Sequence, residues 1–144
     1  MWLKIPKVNK DYLEMRIREI NDVAQIIREI TNKDFDKLSI YEKISLRYLI
    51  IQLVEAAAAI CIHILANVFN ERAIGYPDCF SRLGLKGVIP EELARRLVLA
   101  ARLRNLLIHR YREIIDEKVY ESSKKGLKDF EEYISYIRKF IEKT

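Results

Sequence analysis

The sequence predicts an all-α fold, an up-and-down bundle of four long helices with one short connecting helix, formed by a single domain over residues 1–144. Three observations predict it. The 144 residues are half apolar, which is enough for one hydrophobic core and too few for two ordinary domains. Only four Gly and three Pro interrupt stretches dominated by Ala, Leu, Ile, Lys, Arg and Glu, residues that tolerate or favour helix. Within those stretches, apolar residues recur at three- and four-residue steps, the period of one helix face.

The first helix is expected from about Asn9 to Ile30, with Leu13, Ile17, Ile20, Ala24 and Ile27 on its buried face. Thr31-Asn32-Lys33-Asp34 ends it. Ser39-Ile40-Tyr41-Glu42 reads as a capping box, in which the serine accepts from a free amide and the glutamate reaches back, and it opens a second helix to about Asn70. Here one stripe (Leu46, Leu49, Leu53, Ala57, Ile60, Ile64) suits the core, yet the opposite stripe (Ile44, Tyr48, Ile51, Ile62, Ala66) is apolar too. A helix apolar all round is either central in its bundle or shared between two subunits. Gly75 and Pro77 break the chain, and Asp78 can cap a short helical turn through Leu83, before Gly84 and Gly87. Pro90, Glu91 and Glu92 suit the start of a third long helix, and Asp116 can cap a final one carrying Val119, Leu127, Phe130, Ile134, Ile137 and Ile141. There is no internal repeat, low-complexity tract or flexible linker.

The formal charge is +5, a mild bias toward polyanions, but its distribution matters more. Between Leu93 and Arg112 lie six arginines and no lysine or acid. Arginine's planar fork grips phosphate with two bonds, so this segment is the one to face nucleic acid, the other reading being a solvated basic face. Cys61 and Cys79 lack metal-ligand spacing and sit among apolar residues, as buried thiols would. With no charged-then-apolar leader, a cytoplasmic protein is expected. The window Tyr48 to Ala66 could pass for a membrane span, but it contains Gln52, Glu55 and His63, and a bundle core explains it without lipid.

The core line of the third helix reads Leu93, Leu97, Ala100, Arg104, Leu107, Tyr111, so a guanidinium stands where the spacing asks for leucine. Arginine does not lose its charge, and burying it unpaired is costly. It must meet a carboxylate, a cavity or an anion, and Glu55 is the candidate partner; a purely structural bridge is the alternative. His109, five residues on, lies about 140° around a straight helix from Arg104. Either the helix bends or ends there, or a second copy of the chain completes the site. Two facing copies of His109 would supply the general base and general acid of a metal-independent ribonuclease, with two copies of Arg104 stabilising the phosphate charge. His63, the other histidine, reads as structural.

The segment R-N-L-L-I-H-R-Y, Arg104 to Tyr111, followed by Ile115-Asp116 and the helix V-Y-E-S-S-K-K-G-L-K-D-F-E-E-Y, resembles the C-terminal half of HEPN/HepT-type toxins. The likeness extends through the second helix, the Tyr76-Pro77-Asp78-Cys79-Phe80 stretch and the Leu83-Gly84 turn. The resemblance implies a homodimeric helical bundle, RNA cleavage with no metal or cofactor, and a minimal nucleotidyltransferase (MntA-like) antitoxin as partner. It also implies roles: Arg104 and His109 catalytic, Asn105 and Glu55 supporting, Arg102, Arg110 and Arg112 on RNA, and Tyr111 the acceptor of adenylate from ATP. Relatives carry an acid one turn after the glutamate of the second helix, where this chain has Ala59. That leaves either Glu55 acting alone or a weaker activity. The rival expectations are a non-catalytic nucleotide- or partner-binding subunit of a nucleotidyltransferase complex, and a purely structural dimer.

Overall fold

A computed structural model describes residues 8–143. They form five helices, α1 (Lys10–Thr31), α2 (Ile40–Val68), α3 (Gly75–Leu85), α4 (Glu91–His109) and α5 (Asp116–Glu142), with short 3-10 turns at Phe35–Lys37 and Tyr111–Glu113. Four are long and α3 is the short connector, as the spacing of apolar residues and breakers predicts.

The first two helices begin on the caps the sequence offers. The Asn9 side chain accepts from the Tyr12 amide, and α1 buries Leu13, Ile17, Ile20, Ala24 and Ile27. Ahead of α2, Ser39 accepts from the Glu42 amide at 3.1 Å while Glu42 accepts from the Ser39 amide at 2.9 Å. Both halves of the capping box therefore satisfy amides that helix geometry leaves without partners. Lys33 also bonds Glu42, and chiefly for that reason the carboxylate titrates below its ordinary range.

α2 is the axis of the bundle, touching each of the other four helices. Its stripe from Leu46 to Ile64 is buried, whereas Ile44, Tyr48 and Ile62 of the opposite stripe are exposed. It is long and apolar enough to cross a membrane by length and composition, but those are also the properties of a core helix packed on most of its sides. Tyr133 of α5 is wholly buried and donates its hydroxyl to the Ala57 carbonyl at 2.7 Å, so even the core's phenol is satisfied. Cys61 and Cys79 are buried free thiols, and burial pushes the Cys61 thiol far up. In α5 the imperfect stripe is completed by Ser123, buried with its hydroxyl on the Val119 carbonyl at 2.7 Å.

The helix starts in the second half differ from expectation. α3 begins at Gly75, not at Asp78, whose carboxylate instead reaches back to the Ile74 amide at 2.8 Å and holds Arg82. Gly84 lies inside α3 rather than ending it: a Cβ there would come within 2.7 Å of the Ala94 Cβ, so the glycine permits the close α3–α4 crossing. Pro90 precedes the first turn of α4 as its N-cap, where its missing N–H costs nothing. Asp116 is the first residue of α5 and not its cap. Both its oxygens are taken by the Arg47 fork, at 2.7 and 2.9 Å, tying the start of α5 to α2.

Candidate functional site

α4 buries Leu93, Ala94, Leu97, Ala101 and Leu107, and Arg104 interrupts that face with only 19% of its side chain exposed. The guanidinium is held on three sides. Nη2 donates to Glu55 Oε2 at 2.7 Å, Nη1 donates to Asn105 Oδ1 at 3.0 Å, and the guanidinium carbon sits 4.6 Å from the centre of the Tyr76 ring. The expected Arg104–Glu55 pairing is thus present, with Asn105 and Tyr76 bracing it. Arg104 Nε is buried without an acceptor. A buried donor left unmade costs roughly 1–3 kcal/mol, a cost that a purely structural bridge leaves uncompensated.

His109 is the last residue of α4 and exposed. The helix runs unbroken to it and then leaves helical geometry at Arg110 (φ −134°, ψ 42°), so Arg104 and His109 still depart about 140° apart. One chain does not bring the two side chains onto a common partner. Tyr111 follows in the 3-10 turn and is 59% exposed, so it is not a continuation of the core stripe, because the stripe's period lapses where the helix ends. The Arg112 guanidinium stands 6.0 Å from its ring.

The six arginines from Arg95 to Arg112 divide in use. Arg96 binds Asp129 at 2.8 Å and Glu132 at 3.1 Å on α5, with Glu92 at 3.4 Å, and so tethers α4 rather than facing a partner. Its pKa is raised, mostly by the Asp129 bond. Arg95, Arg102 and Arg112 are exposed, and Arg110 has only a loose contact with Glu113 at 3.7 Å. Arg102, Arg110 and Arg112 therefore remain available to an anion, while Arg96 does not.

Sequence reasoning missed what lies beyond Glu55. A pocket of about 460 Å³ opens there between α1, α2 and α3, with Tyr12, His63, Asn67 and Tyr76 among its walls. Ala59 also lines it, beside Glu55. His63 is anchored: its Nε2 accepts the Asn9 amide at 3.0 Å, its ring lies 5.2 Å from that of Tyr12, and burial lowers its pKa. A histidine within the apolar run of α2 was the available signal, but Asn9 and Tyr12, which hold its ring, come from the start of α1, 54 residues away in the case of Asn9. Among the described residues no group of three or more His, Cys, Asp or Glu is placed to hold a metal ion.

Residues 16–137 match the family described as ribonuclease HepT-like. A tRNA nuclease HepT from Aphanizomenon flos-aquae is 25% identical over 131 residues, spanning 90% of this chain and 89% of its own. An mRNA nuclease HepT from Shewanella oneidensis is 25% identical over 126 residues, spanning 85% of this chain and 95% of its own. In fold, the chain matches a tri-AMPylated Shewanella oneidensis HEPN toxin solved in complex with an MNT antitoxin. That match has a TM-score of 0.82 at 23% identity and covers 89% of this chain and 97% of the other.

Proposed function

The chain belongs to the ribonuclease HepT-like family, and from that premise we propose that it is the RNA-cleaving toxin of a toxin–antitoxin pair. The observation that carries this reading is the environment of the motif: a braced, half-satisfied arginine at one end and an unencumbered histidine at the other. The ribose 2′-oxygen attacks the neighbouring phosphorus, the new O2′–P bond forms and the P–O5′ bond breaks. His109 takes the 2′-hydroxyl proton, and His109 of a second copy protonates the leaving 5′-oxygen. Arg104 stabilises the charge on the phosphate as it is cut, with Glu55 and Asn105 holding its fork. The products are a 2′,3′-cyclic phosphate and a 5′-hydroxyl.

The second copy packs on the uncovered face of α2 ahead of Glu55, where Ile44 and Tyr48 are exposed. A twofold axis there would bring both copies of Arg104 to one cleft. The antitoxin is a minimal nucleotidyltransferase. The Tyr111 hydroxyl attacks the α-phosphorus of ATP, pyrophosphate leaves, and the adenylate adds bulk and negative charge where RNA phosphate would bind. The exposure of Tyr111 supports this. Because the two HepT relatives are named for different RNAs, tRNA and mRNA, family membership leaves the target open.

The test is cleavage of end-labelled RNA in the presence of chelator. Wild type is expected to release cyclic phosphate ends and His109→Ala to release them at least about 10²-fold more slowly; cleavage at the wild-type rate in the variant, or abolished by chelator, counts against the scheme. A second reading, a non-catalytic nucleotide- or partner-binding subunit, is favoured by one observation. The His109 side chain makes no hydrogen bond among the described residues, so one chain alone does not fix its tautomer. Expression without the antitoxin separates the two: growth arrest relieved by His109→Ala supports the nuclease, and a harmless wild type supports the binding subunit.

A further inference from the structure

The pocket beyond Glu55 shares two of its walls with the arginine clamp. Glu55 is both Arg104's partner and part of the lining, and Tyr76 lies both under the Arg104 guanidinium and in the pocket. Whatever occupies it therefore sits next to whatever Arg104 holds. Its volume, about 460 Å³, falls in the range of small-ligand sites. Arg16 also lines it, its guanidinium 5.2 Å from the centre of the Tyr12 ring and its fork positioned by the Tyr12 hydroxyl at 3.3 Å and by Glu19 at 2.7 Å.

The polar edge has a definite sense. The Asn9 amide can only donate, so His63 Nε2 is the acceptor and the neutral ring carries its proton on Nδ1. Asn67 Nδ2 donates to the His63 carbonyl at 2.8 Å. Its 3.4 Å approach to Nδ1 is therefore a meeting of two donors and not a bond. That leaves Asn67 Oδ1 with no donor among the described residues, on the amide whose nitrogen lies 3.4 Å from His63 Nδ1. Aromatic rings supply flat faces and this pair supplies a complementary edge, the two things single-stranded RNA recognition uses.

We propose that this pocket receives one base of the RNA strand next to the phosphate clamped by Arg104, and that it selects an amino-bearing base, adenine or cytosine. Each offers an exocyclic N–H to Asn67 Oδ1 and an adjacent ring nitrogen to His63 Nδ1–H, whereas uracil presents oxygen and N–H in those places. Tyr12 and Tyr76 line the space the base would enter, and Arg16, in the same wall, is the cation for the next phosphate. The proposal rests on the nuclease reading above and adds to it the determinant of where the strand is cut.

The test uses RNA oligonucleotides that differ only at the nucleotide flanking the cut, with wild type, Asn67→Ala, which removes the acceptor, and Ala59→Leu, which fills the pocket from α2. Wild type is expected to prefer adenine or cytosine by about tenfold in kcat/KM. Both variants should lose that preference, with KM rising more than kcat falls, while circular dichroism melting reports that they fold. An unselective wild type, or variants that keep the preference, would overturn the assignment while leaving the nuclease reading intact. If wild type cuts nothing, fluorescence anisotropy with the same oligonucleotides decides separately. Base-selective binding lost in Asn67→Ala upholds the pocket without the nuclease, and unselective binding rejects it.

Discussion

The two ends of one eight-residue segment are built in opposite ways. Arg104 is four-fifths buried, bonded to Glu55 and Asn105 and laid against Tyr76, whereas His109 and Tyr111 stand exposed at the point where α4 gives way to a turn. The role proposed for Arg104, a phosphate clamp, gains from being fixed before substrate arrives, because no reorganisation is then needed as charge develops. The roles proposed for His109 and Tyr111, proton transfer and modification, need access, and exposure supplies it. The cost falls on the buried end, which must satisfy a permanent charge inside a bundle. The open end costs the fold nothing but leaves His109 to be oriented by something outside the single chain.

The sharpest way to break this contrast is at the open end. His109→Ala should slow RNA cleavage by about 10²–10⁴-fold with an unchanged melting temperature. Any marked loss of stability would mean that His109 is packed in solution. At the buried end, Arg104→Ala should lower both quantities, cleavage by about 10²–10³-fold and stability by up to about 1 kcal/mol in denaturant unfolding. The stability loss is small because the Glu55 side chain is 44% exposed and can return to water. A variant that is inactive yet fully stable would place Arg104 on the surface and undo the contrast.

Away from both ends, Ser39→Ala should cost about 1 kcal/mol by removing half of the α2 capping box, and should leave the folded protein's cleavage rate as it was. Loss of activity at full folding would mean that the start of α2 communicates with Glu55. The smallest effect separates the two histidines. Burial lowers the His63 pKa below its ordinary 6.5, so the unfolded chain binds the proton more readily than the folded one. Its contribution to stability is complete above pH 6.5 and is lost as pH falls from there through the folded pKa. Thermal melts between pH 7.5 and 5 should fall on the acid side, and His63→Gln should flatten that slope. An equal slope in both proteins would assign the acid sensitivity to other groups.

Much of the bundle follows from local rules. The α1 stripe, the buried stripe of α2 and the Ser39–Glu42 box depend on residues three or four apart, which helix geometry brings together wherever the helix goes. The oddity of Arg104 was legible for the same reason, as a charge within an apolar period, and Glu55 was the nearest acid the second helix could offer. The fate of Asp116 was not. Its spacing suits a cap, but Arg47, 69 residues earlier, claims both of its oxygens. Arg96 likewise looked like part of a nucleic-acid face until α5 brought Asp129 and Glu132 against it.

What the sequence determined by itself is thus the number of helices, their buried faces and the presence of one charge that the core must answer. Tertiary structure alone decided which charges answer which, that Gly84 serves a helix crossing and not a break, and that Glu55, His63 and Tyr76 border a single pocket. The physical reason is one of range. Periodicity sets which side of a helix faces inward, but a pocket shared by three helices depends on how each is rotated and where it crosses the others. Those are properties of the packed core as a whole.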